Sequence, residues 1–141
     1  MKLGLVSCTK SKRNYSCKAC EMYSPSTLFK KAYQYAIKNY DIVTILSAKY
    51  GLLLPDDEIE PYDLTLKTMS TPQRKEWANK VFKQMKNRLD LGKTRSAHFH
   101  TGREYREHLI PRLKSTGITC IVPLEGLFFG QQLAWYNARS H

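Results

Sequence analysis

Four short apolar runs alternate with segments of helical spacing, and that alternation leaves few folds open to this chain. The runs are Lys2 to Ser7, Asp41 to Ala48, Ser96 to Thr101 and Ile118 to Pro123. The second is β-branched and apolar almost throughout, as expected of a strand with helices over both faces of its sheet. Between the runs, apolar residues recur three and four apart. In the segment from Ser24 to Tyr40, Ser24 can cap a helix, Pro25 suits its first turn, and Leu28, Ala32, Tyr35 and Ala36 give it an inner face. From Ser70 to Gly92, Ser70 or Thr71 caps, Pro72 sits near the first position, and Trp77, Val81, Met85 and Leu89 form a stripe. Gly102 to Gly117 reads as a third helix with Tyr105, Leu109 and Leu113 inward and a kink at Pro111. Glu125 to His141 reads as the last, with Gly126 and Gly130 near its start and Phe128, Phe129 and Trp135 in the core. Lys49 to Met69 is a long irregular stretch, and such stretches usually carry function. The order predicts an α/β fold, a three-layer sandwich of about four mostly parallel strands with helices on both faces. Residues 1–141 read as a single α/β domain, with no linker, repeat or low-complexity segment.

Composition narrows the partners. Apolar residues make up 42%, so the chain is expected to fold. No apolar run approaches the ~18 residues of a membrane span. The opening MKLGLVSCTKSK is too short for a signal-peptide core and lacks a small-residue cleavage site. A cytoplasmic protein without a membrane partner is expected, and no obligate protein partner is indicated. Lys and Arg number 23 against 12 Asp and Glu, a formal net charge of +11. Such a field draws polyanions, and in the cytoplasm that means nucleic acid, DNA before RNA, or nucleotide phosphate. The alternative is charge that serves only solubility.

In sheets of this kind ligands bind outside the carboxyl ends of the strands. Those ends carry hydroxyls, lysines, tyrosines and glycines here. After the first run comes Ser7-Cys8-Thr9-Lys10-Ser11-Lys12. Its hydroxyls and Lys10 can hold a phosphate or polarise a carbonyl, although the glycine framework of a P-loop is absent. Lys10 is a nucleophile candidate if desolvated, and a basic surface turn is the plainer reading. Tyr23 to Ser26 opens a helix, where an anion can sit or a serine simply caps. After the second run come Ser47 to Gly51 and then Pro61-Tyr62-Asp63. Tyr50 and Tyr62 offer faces on which a base can stack, worth ~1–3 kcal/mol per base. Lys49 is a candidate to hold phosphate. Asp63 can orient water or stabilise the positive charge that grows on a sugar as its glycosidic bond breaks, or it is only a turn residue. Gly102 follows the third run. Glu125, at the expected start of the last helix, is the second carboxylate candidate, or it complements the helix dipole. Gln131 and Gln132 are the amides nearest the expected pocket. The candidate catalytic residues are Asp63, Lys10 and Lys49, and the candidate binding residues are Ser7, Cys8, Tyr23, Ser26, Tyr50, Gly51, Tyr62, Gly102, Glu125 and Gln131.

No cofactor is assigned, and no metal site. Cys17 and Cys20 have a ligand-pair spacing, but zinc takes four ligands and no second pair follows. Cys8 with His98 or His100 would complete a site only through folding. His98 and His100 share one strand face and read as structural; Cys120, mid-strand, reads as buried. Disulfides are not expected without a secretion signal.

Five blocks, GLVSCTKSK, MYSPSTLFKKAYQYA, ILSAKYGLL followed by PYDLTL, TGREYREHL and PLEGLFFGQQLAW, resemble a bacterial and phage family of unknown function. That family in turn resembles a distant branch of the uracil-DNA glycosylase-like α/β superfamily. The Cys–Lys and Tyr–Ser spacing is also similar to the archaeosine synthase core domain, where a lysine attacks a modified guanine base. The resemblance implies a base pocket at the carboxyl edge of the sheet. The matching positions are Ser7, Cys8, Lys10, Tyr23, Ser26, Lys49, Tyr50, Gly51, Tyr62 and Asp63. The water-activating Gly-Gln-Asp-Pro-Tyr-His run and the HPSPLS-like motif are absent, so ordinary uracil excision is not expected. The archaeosine-type Pro-Cys start is Ser-Cys here, which leaves the Lys10 nucleophile open. Three functions follow: a DNA glycosylase-like enzyme on a modified nucleobase, a nucleic-acid-binding module without turnover, or an enzyme on free nucleotides or nucleosides.

Overall fold

The structure is a computed structural model and describes residues 1–140. Strand β1 (Lys2–Ser7) lies at the centre of the sheet, with Leu3 to Val6 buried. A short strand β2 (Cys17–Lys18) and a single turn α1 (Ala19–Met22) lead to helix α2 (Thr27–Asn39), which returns the chain to β3 (Ile42–Ser47). β3 pairs parallel with β1, Leu5 lying opposite Thr44. The stretch expected to be irregular is more ordered than its sequence suggests. β4 (Gly51–Leu53) folds back antiparallel on β3, and β5 (Glu58–Ile59) pairs with β2. Helix α3 (Thr71–Arg88) then crosses to β6 (Ser96–His100), on the other side of β1. α4 (Arg103–Arg106) and α5 (Leu109–Lys114) lead to β7 (Thr119–Ile121), and α6 (Phe129–Arg139) ends the described chain. The main sheet has the order β4-β3-β1-β6-β7, parallel except for β4.

α2 and α6 pack together on one side, and α3 and α5 on the other, giving the expected three-layer α/β sandwich. The sheet has five strands rather than about four, because three residues of the presumed loop pair at its edge. Gly51 begins that edge strand with φ +75°, a left-handed conformation that favours glycine. Among the described residues no helix is long and apolar enough to cross a membrane.

The helices differ from expectation at their ends. Ser26, not Ser24, caps α2, its hydroxyl accepting the Phe29 N–H at 3.1 Å. Ser24 instead accepts from Arg13 Nε at 3.0 Å. α3 begins with a capping box between Ser70 and Gln73, and Trp77, Val81 and Met85 are buried as their spacing requires. The third helix is two pieces, interrupted at Glu107 and His108. Pro111 has no N–H to offer the carbonyl four residues earlier, which belongs to Glu107. The last helix starts at Phe129, after a turn in which Gly126 takes φ +81°. The expectation that Phe128 and Phe129 lie in the core is therefore wrong: they are 80% and 62% exposed. Both stand at the helix start, before any turn can press them onto the sheet. Trp135, two turns in, is half-buried against Tyr35 and Tyr136.

Candidate functional site

The order of strands places the site. The chain leaves β1 for β3 on one side and later reaches β6 on the other, so a crevice opens at the carboxyl ends of β1 and β6, the switch point where α/β sheets bind ligands. A cavity of about 230 Å³ occupies it. Ser7 and Thr9 reach it from β1, and Thr101, Gly102, Arg103 and Arg106 from the turn after β6. Phe29, Phe99, His100 and Tyr136 supply its apolar and aromatic wall, and Gln132 of α6 closes one side. Arg106 Nη1 donates to the Thr101 carbonyl at 2.7 Å, which fixes that turn. Among the described residues the exposed Arg103 pairs only with Glu107, at 3.5 Å. Among the described residues no carboxylate lines the cavity.

Beside it, at the ends of β1 and β3, runs a chain of buried hydroxyls. The Tyr50 N–H donates to Ser47 Oγ at 3.0 Å, Ser47 donates to the Tyr62 hydroxyl at 2.8 Å, and Tyr62 lies 2.8 Å from the Tyr23 hydroxyl. The Trp77 indole N–H grips the Ser47 carbonyl at 3.0 Å. Cys8 Sγ donates to the Tyr105 hydroxyl at 3.3 Å. Desolvation by burial, with Cys8 adding to it, holds the Tyr23, Tyr62 and Tyr105 phenols above their usual range, so all three stay protonated. Lys12 Nζ lies 4.6 Å from the Tyr62 ring centre, and Lys49 Nζ lies 5.3 Å from that of Tyr50. The two rings meet edge-on at 5.7 Å.

The expected residues divide accordingly. Ser7 and Gly102 line the cavity. Tyr23 and Tyr62 belong to the adjoining hydroxyl cluster, which Tyr50 joins through its N–H while its own hydroxyl meets the Glu60 backbone; Cys8 bonds Tyr105, and Lys49 flanks Tyr50. Asp63 follows Tyr62 on an exposed stretch, and among the described residues its carboxylate forms no ion pair. Lys10 is exposed, and it is Lys12 that lies over the tyrosine. Gly51 serves the backbone of β4. Glu125 stands exposed in the turn before α6 rather than at a helix start, so the helix dipole does not act on it. Gln131 accepts the Phe128 N–H at 2.9 Å and so completes the start of α6, whereas its neighbour Gln132 faces the cavity. Ser26 acts as a helix cap, and Ser26→Ala is expected to lower stability by about 1 kcal/mol, read as a shift in the thermal midpoint.

Ser47, Thr9, Lys12, Thr101, Arg103, Arg106 and Tyr105 are among the members not chosen as site residues from the sequence. For Ser47 a signal existed: a small hydroxyl closing an otherwise apolar strand. Arg106 carried none, since its place depends on where α4 breaks. The thiols of Cys17 and Cys20 are pushed up by burial and nearby carboxylates. Among the described residues no three His, Cys, Asp or Glu side chains gather as metal ligands. His98 and His100 are both held by neighbouring side chains. His98 bonds Ser96 at 2.8 Å and stacks on Tyr40, and His100 is held between Tyr40 at 2.5 Å and Tyr136 at 2.7 Å.

No curated protein matches this sequence. Residues 3–138, nearly the whole of the fold just described, match one family, and the chain belongs to it: the "Family of unknown function (DUF6884)".

Proposed function

We propose that this chain handles a nucleobase within nucleic acid, DNA before RNA, and acts as a DNA glycosylase-like enzyme on a modified base. The observation that carries the reading is the switch-point cavity itself, walled by aromatic rings and edged by Arg103, Arg106 and the Ser7 and Thr9 hydroxyls, on a chain of net charge +11. The rings suit a flat base, and guanidinium groups suit its phosphate. In the reaction the sugar–base C–N bond breaks, water oxygen bonds to the anomeric carbon, and a water proton goes to the departing base. Asp63, a free carboxylate beside Tyr62, would stabilise the positive charge that grows on the sugar. Lys10 and Lys49 would hold phosphate or the departing base.

One observation favours a second reading, recognition without turnover. Among the described residues the cavity holds no carboxylate, the phenols beside it stay protonated, and both ring nitrogens of His100 are taken by Tyr40 and Tyr136, so no free general base lines it. The test is to incubate the protein with genomic and phage DNA carrying modified bases and to analyse the small products by mass spectrometry. A free base that appears with the native protein and not with Asp63→Ala is the expected result. Retention of DNA that weakens with salt, without release, supports recognition alone. Thermal stabilisation by a mononucleotide with no DNA retention would move the activity to free nucleotides.

A further inference from the structure

The outward face of α3 carries four lysines, of which Lys86 also lies over the Phe82 ring with Nζ 4.8 Å from its centre. Lys75, Lys80, Lys83 and Lys86 are exposed, while Trp77, Ala78, Val81 and Met85 on the opposite arc are buried. At 3.6 residues per turn Lys75, Lys83 and Lys86 fall within about 80° of one another, with Asn79 between them. Glu76 is the only acid on this helix. Among the described residues none of the four lysines is ion-paired. The helix dipole accounts for Lys86 near the C-terminus and not for Lys75 near the start, where an acid is favoured and the first turn has none. Nor is the charge evenly mixed for solubility. Asp56, Asp57, Glu58 and Glu60 gather around β5, and Asp57 is already taken by Arg88 at 2.6 Å. Lys80, about 60° round the helix from Lys83, donates its Nζ to the Lys49 carbonyl at 3.2 Å, so the stripe runs past the carboxyl end of β3 and the hydroxyl cluster.

We infer that this face of α3 is a track for the phosphate backbone of nucleic acid, running past the site at Lys49. The inference rests on the nucleic-acid reading above. From Lys75 to Lys86 the helix rises about 17 Å, the axial length of about five phosphates on one strand. Lysine is a mobile point charge, suited to contacts that hold a backbone without reading its sequence.

Binding of plain duplex DNA, free of modified bases, tests the track across a range of salt concentrations. Lys75→Gln, Lys83→Gln and Lys86→Gln are combined in one variant. Lys30→Gln, Lys31→Gln and Lys38→Gln, on α2 in the opposite layer, make a second with the same loss of charge. The α3 variant is expected to flatten the slope of log affinity against log salt by about 3, while the α2 variant keeps the native slope. Equal flattening in both, no change in the α3 variant, or no DNA binding by the native protein would overturn the track. Base release separates this from the catalytic reading. Release that persists beside an unchanged α3 slope leaves the site standing and removes the track. A flattened slope with no release under any condition does the reverse.

Discussion

Acidifying the protein from pH 7 to pH 4.5 is expected to weaken the fold by about 3 kcal/mol, with His100 as the main source. His100 ends β6 and is 6% exposed. Its ring nitrogens lie 2.5 Å from the Tyr40 hydroxyl and 2.7 Å from that of Tyr136, and the rings of Tyr35 and Trp135 close around it. Burial pushes its pKa down from 6.5 to about 4, and the His98 charge on the same strand pushes in the same direction. Below pH 6.5 the unfolded chain takes up a proton at this position and the folded chain does not. Stability that is complete above pH 6.5 is therefore lost as pH falls toward 4, at about 1.4 kcal/mol per pH unit. His98, also lowered by burial, adds a smaller loss of the same sign. Asp57, held below its usual range by Arg88, loses its contribution only at lower pH, outside this window. Urea unfolding at a series of pH values measures the slope. His100→Gln keeps a polar group between the two tyrosines and should flatten the curve between pH 6.5 and 4 while lowering stability at pH 7. An equally steep curve in that variant would place the acid sensitivity elsewhere.

Much of this frame is written in periodicity. The runs at Lys2, Ile42, Ser96 and Thr119 are apolar enough to be strands whatever surrounds them, and the Trp77 stripe fixes one face of α3. What stays hidden is structure made by partners distant in sequence. Gly51 to Leu53 is a strand only because Ile45 to Ser47 lies beside it, and Cys17 pairs with Ile59 across two elements of two residues each. Neither has a period long enough to detect. Helix starts are hidden for a different reason. Ser24 and Ser26 are both good caps, and the choice turns on Arg13, which takes Ser24. At the other end of the chain, Phe128 and Phe129 look like core by composition, yet the turn at Gly126 delays the helix until they are left outside.

The same division governs the site. Strand ends point to Ser7, Cys8, Tyr50 and Gly102, because the carboxyl edge follows from strand order alone. The arginine and threonine that shape the cavity depend on how the chain turns after β6, and the sequence TGRE allows several turns. Tyr105 was legible as buried, but not as the partner of Cys8. Its role emerges only when β1 and β6 lie side by side. The cavity thus joins residues 7 to 9 with residues 100 to 106 and 132 to 136, segments whose proximity is a property of topology and not of any local motif.

Tyr23→Ala is expected to lower stability by about 3–5 kcal/mol, and Tyr23→Phe by about 1–3 kcal/mol. Tyr23 is fully buried, and its ring packs 5.2 Å from that of Phe29. Removing the ring leaves a hole between α1 and α2 that rigid neighbours fill only in part. The hydroxyl carries a separate share. With the Tyr50 N–H on Ser47 and the Ser47 hydroxyl proton on Tyr62, the Tyr62 proton points to Tyr23. Phenylalanine at position 23 leaves that proton without its acceptor inside the protein. Burial keeps both phenols protonated through the neutral range, so this penalty should not change between pH 6 and pH 8, unlike the loss at His100. Denaturant unfolding of the two variants separates ring from hydroxyl. If Tyr23→Phe matches the native protein, the Tyr62 proton has found another acceptor and the hydroxyl chain does not secure the stretch from Tyr50 to Tyr62. If Tyr23→Phe loses the expected stability, that stretch, with Asp63 at its end, is anchored to the sheet through Tyr62, and shifts in Tyr23 would reach the edge where base chemistry is proposed.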